Sequence, residues 1–383
     1  MEKQLQRYES YACGVKRLLL LAGLWPGRVS SKLFQLVVVT HFTSSVITAC
    51  GIMYFVVSHI TNLDLVTKGL GIAVSFYTIL LKVIVFTINR SSLVELHETL
   101  EKNFRKDLKS PEYQSVLLSP IANFNRPTLY LTLSTLGVFT MYNITPIVGI
   151  IIQLSHGTGI IKRPKLFPSK YPFVESNGIF ATRYLIEMWA SFAIGSITAA
   201  TDALFGFYIF QMSSQLRVLS YRMNKLTAAD DHQTIIKECV VRRQFLAQCR
   251  DKLQTIYGPI ILWMLTTSAM TMCANIFQAS QISMDKAVLV FVYISMKLMQ
   301  TLLYGWFGLF LTTESEAFRD SIYSCGWPGC GDKLFISYIK TMLLCRPLVL
   351  KALQFYSISV DMFMAIMNTT ISYFFLLRTL DEK

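Results

Sequence analysis

Seven apolar stretches, roughly 34–57, 68–88, 128–154, 181–212, 257–280, 287–311 and 349–377, dominate the chain. Each reaches the length of about 20 mostly apolar residues that a helix needs to cross the hydrocarbon core of a bilayer. The Lys and Arg residues between them gather on alternate loops. The segment before the first stretch carries six, the second loop six, the fourth eight and the sixth four. On the opposite side, the loop between the third and fourth stretches with the start of the fourth holds five, the fifth loop one and the C-terminal end two. Basic residues stay on the cytosolic side. The pattern therefore predicts a cytosolic N-terminus and an extracellular C-terminus, the reverse of a G-protein-coupled receptor.

Of the 383 residues, 53% are hydrophobic and 15% charged, with a mean hydropathy of +0.45. This is the composition of an all-α polytopic membrane protein. The net charge of +13 follows from the basic cytosolic loops and suits contact with anionic inner-leaflet lipid rather than nucleic acid. The apolar run Leu18–Leu21 is too short for a cleavable signal peptide and suits a cytosolic or interfacial helix. None of the eight cysteines falls in an extracellular loop, so no disulfide is expected. The pair in CGWPGC (Cys325, Cys330) has no further ligand nearby in sequence and is expected as two thiols in a turn. The sequons at Asn89, Asn143 and Asn368 lie on the cytosolic side or inside spans, away from glycosylation. The five histidines are scattered, and no nucleophile–base set, zinc motif or phosphate loop occurs. No cofactor or metal is expected, and an enzyme is disfavoured.

There is no internal repeat of the kind that builds transporters. The loop 155–180 is rich in Pro and Gly (Pro164, Pro168, Pro172, Gly157, Gly159, Gly178) and reads as an irregular lid. Residues 213–256 carry Val218, Tyr221, Leu226, Ile235, Ile236, Cys239, Val240 and Phe245 at near-helical spacing. They read as a helical extension of the fourth span that packs against both the segment 315–346 and other copies of the chain. Residues 332–345 form an amphipathic piece that Arg346–Pro347 ends.

Ionisable residues inside a membrane are costly and point to function. Lys297 and Asp361 fall about midway through spans six and seven, and their depth and sign suggest a pair. Asp202 lies toward the inner end of span four, where it meets water, and Lys82 is expected to snorkel. Arg183 and Glu187 form an i, i+4 pair at the outer end of span four, a local bridge or the mouth of a pocket.

The last stretch, RPLVLKALQFYSISVDMFMAIMNTTISYFFLLRTL, resembles the final span of insect odorant receptors. Upstream, YGWFGLFLTTESEAFRDSIYSCGWP is similar to that family's linker from span six. The long fourth span running into a basic cytosolic helix and the inverted topology agree. The likeness covers the whole chain in architecture and is motif-specific over residues 304–380. The chain lacks a long insertion in the fourth loop and ends in RTLDEK, which sets it apart from the family's shared co-receptor.

The resemblance implies an odorant-tuned subunit of a tetrameric, ligand-gated, non-selective cation channel at the plasma membrane of an olfactory neuron's dendrite. The subunit would assemble with the insect odorant co-receptor. On this basis the chain divides into a cytosolic N-terminal segment (1–33) and spans one to four as a ligand-binding bundle (34–212). The cytosolic extension (213–256), spans five and six (257–311), a linker with an anchor helix (312–348) and the pore-lining span with the outer mouth (349–383) follow. The family's gate position aligns with Leu376. Helical spacing sets Tyr373, Leu376 and Leu380 on one face with Thr379 adjacent, and a leucine ring can close a pore by dewetting. Asp381 and Glu382 at the outer mouth would concentrate cations. The expected odorant-binding positions are Phe76, Tyr142, Thr145, Gly149, Tyr184, Met188, Phe192, Met272, Ile276 and Phe291. Aromatic and Met side chains around an apolar cavity suit a volatile or lipid-like ligand held by shape. Two other classes remain open: a homomeric channel of the gustatory-receptor type, and a metabotropic receptor or membrane enzyme.

Overall fold

The computed structural model describes residues 2–27, 32–155, 165–172, 176–226, 232–281, 284–325, 333–352 and 356–381. Among these residues are eleven helices and one small hairpin. The helices are α1 (Glu2–Leu21), α2 (Lys32–Ser58), α3 (Leu63–Ile88), α4 (Arg90–Leu108), α5 (Pro111–Leu118) and α6 (Ile121–Ser155). They continue with α7 (Asn177–Asn224), α8 (His232–Gln281), α9 (Met284–Ser324), α10 (Lys333–Leu343) and α11 (Val360–Asp381). Strands β1 (Lys351–Ala352) and β2 (Tyr356–Ser357) form the antiparallel hairpin before α11.

Helices α2, α3, α6, α7 and α8 are each long and apolar enough to cross a membrane, and Val360–Leu376 of α11 is a shorter apolar helix. At about 1.5 Å per residue, the 48 residues of α7 reach far beyond a hydrocarbon core of about 30 Å. Ser176 starts this helix by accepting a hydrogen bond from the Ile179 N–H at 3.4 Å. The residues from Ala193 to Leu216 are all buried, so α7 is the spine around which the bundle packs. Small residues permit this: a Cβ on Gly206 would sit 2.9 Å from Phe307 and 3.2 Å from the Tyr11 hydroxyl.

The end of the bundle that carries α1 is held by polar pairs as well as packing. Tyr8 stacks 4.9 Å from Phe104, and its hydroxyl donates to Glu101 at 3.3 Å. Glu101 also accepts from Gln211 at 2.5 Å and Arg105 at 2.6 Å. Arg242 of α8 makes a two-point bridge to the buried Asp107 of α4. Arg217 of α7 pairs with Glu314 of α9 at 2.6 Å. The extension of α7, the first half of α8 and the end of α9 are thereby fastened to one another.

The seventh apolar stretch differs from its sequence expectation of an unbroken span over 349–377. Residues 346–352 and 356–359, the linker into α11, carry no helix, with β1 paired to β2, and the helix starts only at Val360. Side chains of two long helices capture the linker backbone. Ser315 accepts from Leu348 N–H at 2.8 Å and Gln254 from Lys351 N–H at 3.1 Å. Arg243 and Arg250 donate to the carbonyls of Arg346 and Val349. Gly305 and Gly308 of α9 let the linker lie against the helix backbone. A Cβ on Gly305 would come within 2.5 Å of the Ser359 carbonyl oxygen, and one on Gly308 would strike Ile358.

Candidate functional site

Three apolar helices carry polar residues on the faces they turn to one another. On α3 these are Ser75, Thr78 and Lys82; on α8, Thr267, Ser268 and Thr271; on α9, Lys297 and Gln300. With Val74, Ile260, Met264 and Met272 they enclose a cavity of about 20 Å³. A second lobe of about 10 Å³ shares Ser75, Thr78, Lys297 and Gln300, and adds Phe139, Ile194, Thr198, Tyr293 and Met296. The larger lobe has room for about one water. Trp263 Nε1 donates to Thr78 Oγ1 at 3.0 Å, and the Ser75 and Tyr293 hydroxyls meet at 2.7 Å.

Below this cavity sits a buried ion pair. Lys82 Nζ lies 2.7 Å from Asp202 Oδ1, with both side chains 2% exposed. Asp202 also accepts from Gln300 Nε2 at 2.5 Å and the Tyr304 hydroxyl at 2.8 Å. Lys297 donates to Gln300 Oε1 at 3.2 Å and lies 5.8 Å from the Tyr293 ring. A buried ion pair survives desolvation only when further hydrogen bonds complete it, and Asp202 has them.

This arrangement corrects three expectations. Lys82 does not snorkel: it pairs with Asp202, which therefore does not depend on water. Lys297 faces Gln300 and the cavity, not Asp361. Asp361 is exposed in the first turn of α11, 3.4 Å from Ser359 Oγ. The helix begins eleven residues later than the apolar stretch, so Asp361 sits at its end and cannot reach Lys297's level.

At the opposite end from α1, residues 165–172 form a strap across the bundle. Ser169 is buried and donates to Glu187 Oε1 at 2.6 Å; Tyr171 donates to the same oxygen at 3.4 Å. Arg183 Nε bridges Glu187 at 3.0 Å. Thus the Arg183–Glu187 pair is both a local helix bridge and the fastening of the strap. Phe167 meets Phe76 edge-on at 5.3 Å, and the Lys170 N–H donates to the Gly51 carbonyl at 3.0 Å. Beside the strap, a recess of about 500 Å³ lies between α2 and α7, lined by Ile47, Tyr171, Ile179, Thr182, Arg183 and Ile186 among others.

The expected odorant-binding residues separate into groups. Met272 lines the cavity and Phe76 is fully buried beneath the strap. Tyr142 packs against the core with its ring 6.3 Å from Phe167, and Tyr184 and Met188 are partly buried against the core. Ile276 and Gly149 are half-buried, the latter with open space where a Cβ would stand. Thr145, Phe192 and Phe291 are exposed on the outside of the bundle. Phe192 instead joins Trp189 of α7 and the buried His41 of α2 in an aromatic cluster between the two helices. On α11, Tyr373, Leu376 and Thr379 are exposed. The side chains of Leu380 and Asp381, and the whole of Glu382, lie outside the described residues.

The hydroxyl-bearing wall was the part that aromatic and Met spacing missed. Its signal is present in the sequence: Ser75, Thr78 and Lys82 fall at i, i+3 and i+7, and Lys297 and Gln300 at i and i+3, each a polar stripe along an otherwise apolar helix.

A helical bundle with several membrane-length apolar helices around a small polar interior cavity defines a multi-pass membrane protein. A family model described as 7tm Odorant receptor matches residues 62–371, and the chain belongs to that family of receptors, which are not enzymes. It is 27% identical to Odorant receptor 13a of Drosophila melanogaster over 273 residues, a match that spans 63% of this chain and 64% of that receptor. The Odorant receptor coreceptor of Anopheles gambiae is 24% identical over 148 residues, 38% of this chain and 31% of the co-receptor. Among solved structures, the insect olfactory receptor OR5 from Machilis hrabei superposes with a TM-score of 0.83 at 15% identity, covering 96% of this chain and 97% of that one. The same receptor in complex with eugenol gives 0.82 at 14% identity, covering 97% and 99%.

Proposed function

We propose that this chain is an odorant-tuned subunit of a tetrameric, ligand-gated cation channel. It receives its ligand in the cavity between α3, α6, α7, α8 and α9 and opens a central pore along α11. One observation carries the assignment of the site: this cavity is enclosed by apolar helices yet gathers hydroxyl, amide and ammonium groups toward one point. Enclosure with a few convergent polar groups is what a small-molecule site needs. The 500 Å³ recess beside the strap is larger but open, and it serves better as an approach. The eugenol complex of the Machilis receptor shows that a protein of this fold takes a small aromatic odorant.

The seven-span topology, with a cytosolic N-terminus and an extracellular C-terminus, rests on the basic-residue asymmetry. Leu376 is assigned the gate, with Tyr373, Thr379 and Leu380 on or beside the same face and Asp381 and Glu382 at the mouth. The exposure of Tyr373, Leu376 and Thr379 in the single chain leaves them free to face a pore. The similarity to an odorant co-receptor supports a co-receptor as the partner in the tetramer, in the plasma membrane of a sensory dendrite.

Whole-cell recording with and without an insect odorant co-receptor tests this reading. A panel of volatiles should evoke inward current only when both chains are present. Current from the chain alone would favour a homomeric channel. Silence in both cases, with the protein at the surface, would count against a channel.

A further inference from the structure

The floor of the cavity holds two cations and one anion. Asp202 is the single carboxylate among the described residues there, and it is committed to Lys82, Gln300 and Tyr304. Among the described residues Lys297 makes one hydrogen bond, to a neutral amide oxygen at 3.2 Å, and lies 5.8 Å from the Tyr293 ring. An ammonium has three donors, and Lys297 shares its one nearby counter-charge, Asp202, with Lys82, so one positive charge is left in excess, which is costly away from water. Lys297 lines both lobes of the cavity, so what remains of its surface faces the space a ligand would enter.

We propose, building on the function above, that this cavity selects acidic amphiphiles: an aliphatic carboxylic acid whose carboxylate binds Lys297. The Ser75 and Thr78 hydroxyls stand on the same wall and donate to the Gly71 and Val74 carbonyls; either can turn its single O–H to the second carboxylate oxygen by releasing that bond. The apolar tail runs along Met264, Met272 and Met296, which line the two lobes. Without a ligand the space holds about one water, so the tail must push side chains aside. Methionine is the apolar residue that yields most readily, having an unbranched chain with three rotatable bonds. An ester or alcohol of equal length supplies the tail and leaves the extra ammonium unneutralised. Charge-assisted hydrogen bonds are about twice as strong as neutral ones, so an acid should be favoured over its ester by roughly ten-fold.

Thermal unfolding of the purified full-length chain in detergent provides the test, with sodium octanoate, methyl octanoate and 1-octanol added in turn. Octanoate should raise the midpoint, and half-maximal stabilisation should need roughly ten-fold less octanoate than ester. Lys297→Met should abolish that preference and Lys297→Arg should retain most of it. Equal or weaker stabilisation by octanoate in the unmodified chain would overturn the proposal, as would an acid preference that survives in Lys297→Met. Repeating the titration in chloride and gluconate salts separates the two sources of negative charge. If chloride alone stabilises and octanoate adds nothing, the floor holds a halide ion and the proposal fails. If Lys297→Met does not fold, the acid-to-ester preference of the unmodified chain decides. Failure here leaves the channel reading standing, because that reading is judged by odorant-evoked current and not by which head group binds.

Discussion

Asp202 is the residue on which most of the interior polar structure depends. Replacing it with Asn removes the counter-charge of Lys82, a cation only 2% exposed. Breaking one half of a buried ion pair costs about 3–5 kcal/mol. Asp202→Asn should therefore reduce the yield of folded, surface-delivered protein sharply. The joint replacement Lys82→Met with Asp202→Leu should recover most of it, as measured by surface biotinylation and thermal unfolding. Equal loss in the single and double variants would contradict the account. That the two charges lie within their spans was legible in the sequence; which charges pair was not. Depth along a helix follows from counting residues, but pairing depends on the azimuth of each helix, which neighbouring helices set. Lys297 and Asp361 fail for a different reason: their depths matched only on an unbroken seventh span, and with α11 starting at Val360 they lie at different levels.

Helix α4 offers a pH dependence at the scale of a single element. Its His97 packs edge-on against Trp25 at 4.9 Å, and its Nδ1 has no hydrogen-bond partner among the described residues. Burial lowers its affinity for a proton below the ordinary value of 6.5, against the upward pull of Glu101 and Glu98. The unfolded chain then binds the proton more readily than the folded one. Stability is full above pH 6.5 and declines as pH falls from 6.5 toward the lowered folded value. His97→Gln should flatten the thermal midpoint between pH 7.5 and 5.5, whereas a slope equal to that of the parent would place the sensitivity elsewhere. The α9–α11 junction makes a second prediction. Ala at Gly305 or Gly308 would drive a methyl into the backbone of Ile358 and Ser359. Overpacking of this kind costs about 1–3 kcal/mol, and because the displaced linker leads directly into α11, the loss should show in odorant-evoked current at matched surface expression. The break before α11 was hidden in the sequence because residues 349–359 are nearly as apolar as the helix they precede. Proline at 347 marked the start of the interruption, but its length is set by side chains of α8 and α9 that hold the linker backbone.

Across the whole molecule, the basic-residue asymmetry and the burial of thiols together give a labelling experiment. Cys13 is exposed on α1. Cys239 and Cys249 are buried, and burial pushes their thiols up to about 11 and about 12, where little reactive thiolate forms at neutral pH. A membrane-impermeant maleimide at pH 7.5 should label Cys13 only after permeabilisation and leave Cys239 and Cys249 unlabelled until the protein is denatured, as read by mass spectrometry of the peptides. Labelling of Cys13 on intact cells would reverse the topology. The helical class and the family were legible in hydropathy, loop charge and the last 80 or so residues. The cavity was not: its wall comes from five helices spread along the chain, and the aromatic spacing points to Thr145, Phe192 and Phe291, which lie outside it.

The central claim is that ligand binding and ion conduction belong to one membrane assembly. Odorant applied to an outside-out patch from cells expressing this chain with the co-receptor, with no nucleotide in the pipette, tests it most directly. The account predicts rapid, reversible single-channel openings to small cations, with Leu376→Ala raising openings in the absence of odorant. A response that vanishes in the excised patch and returns only with guanine nucleotide would mean that the conducting pore belongs to another protein.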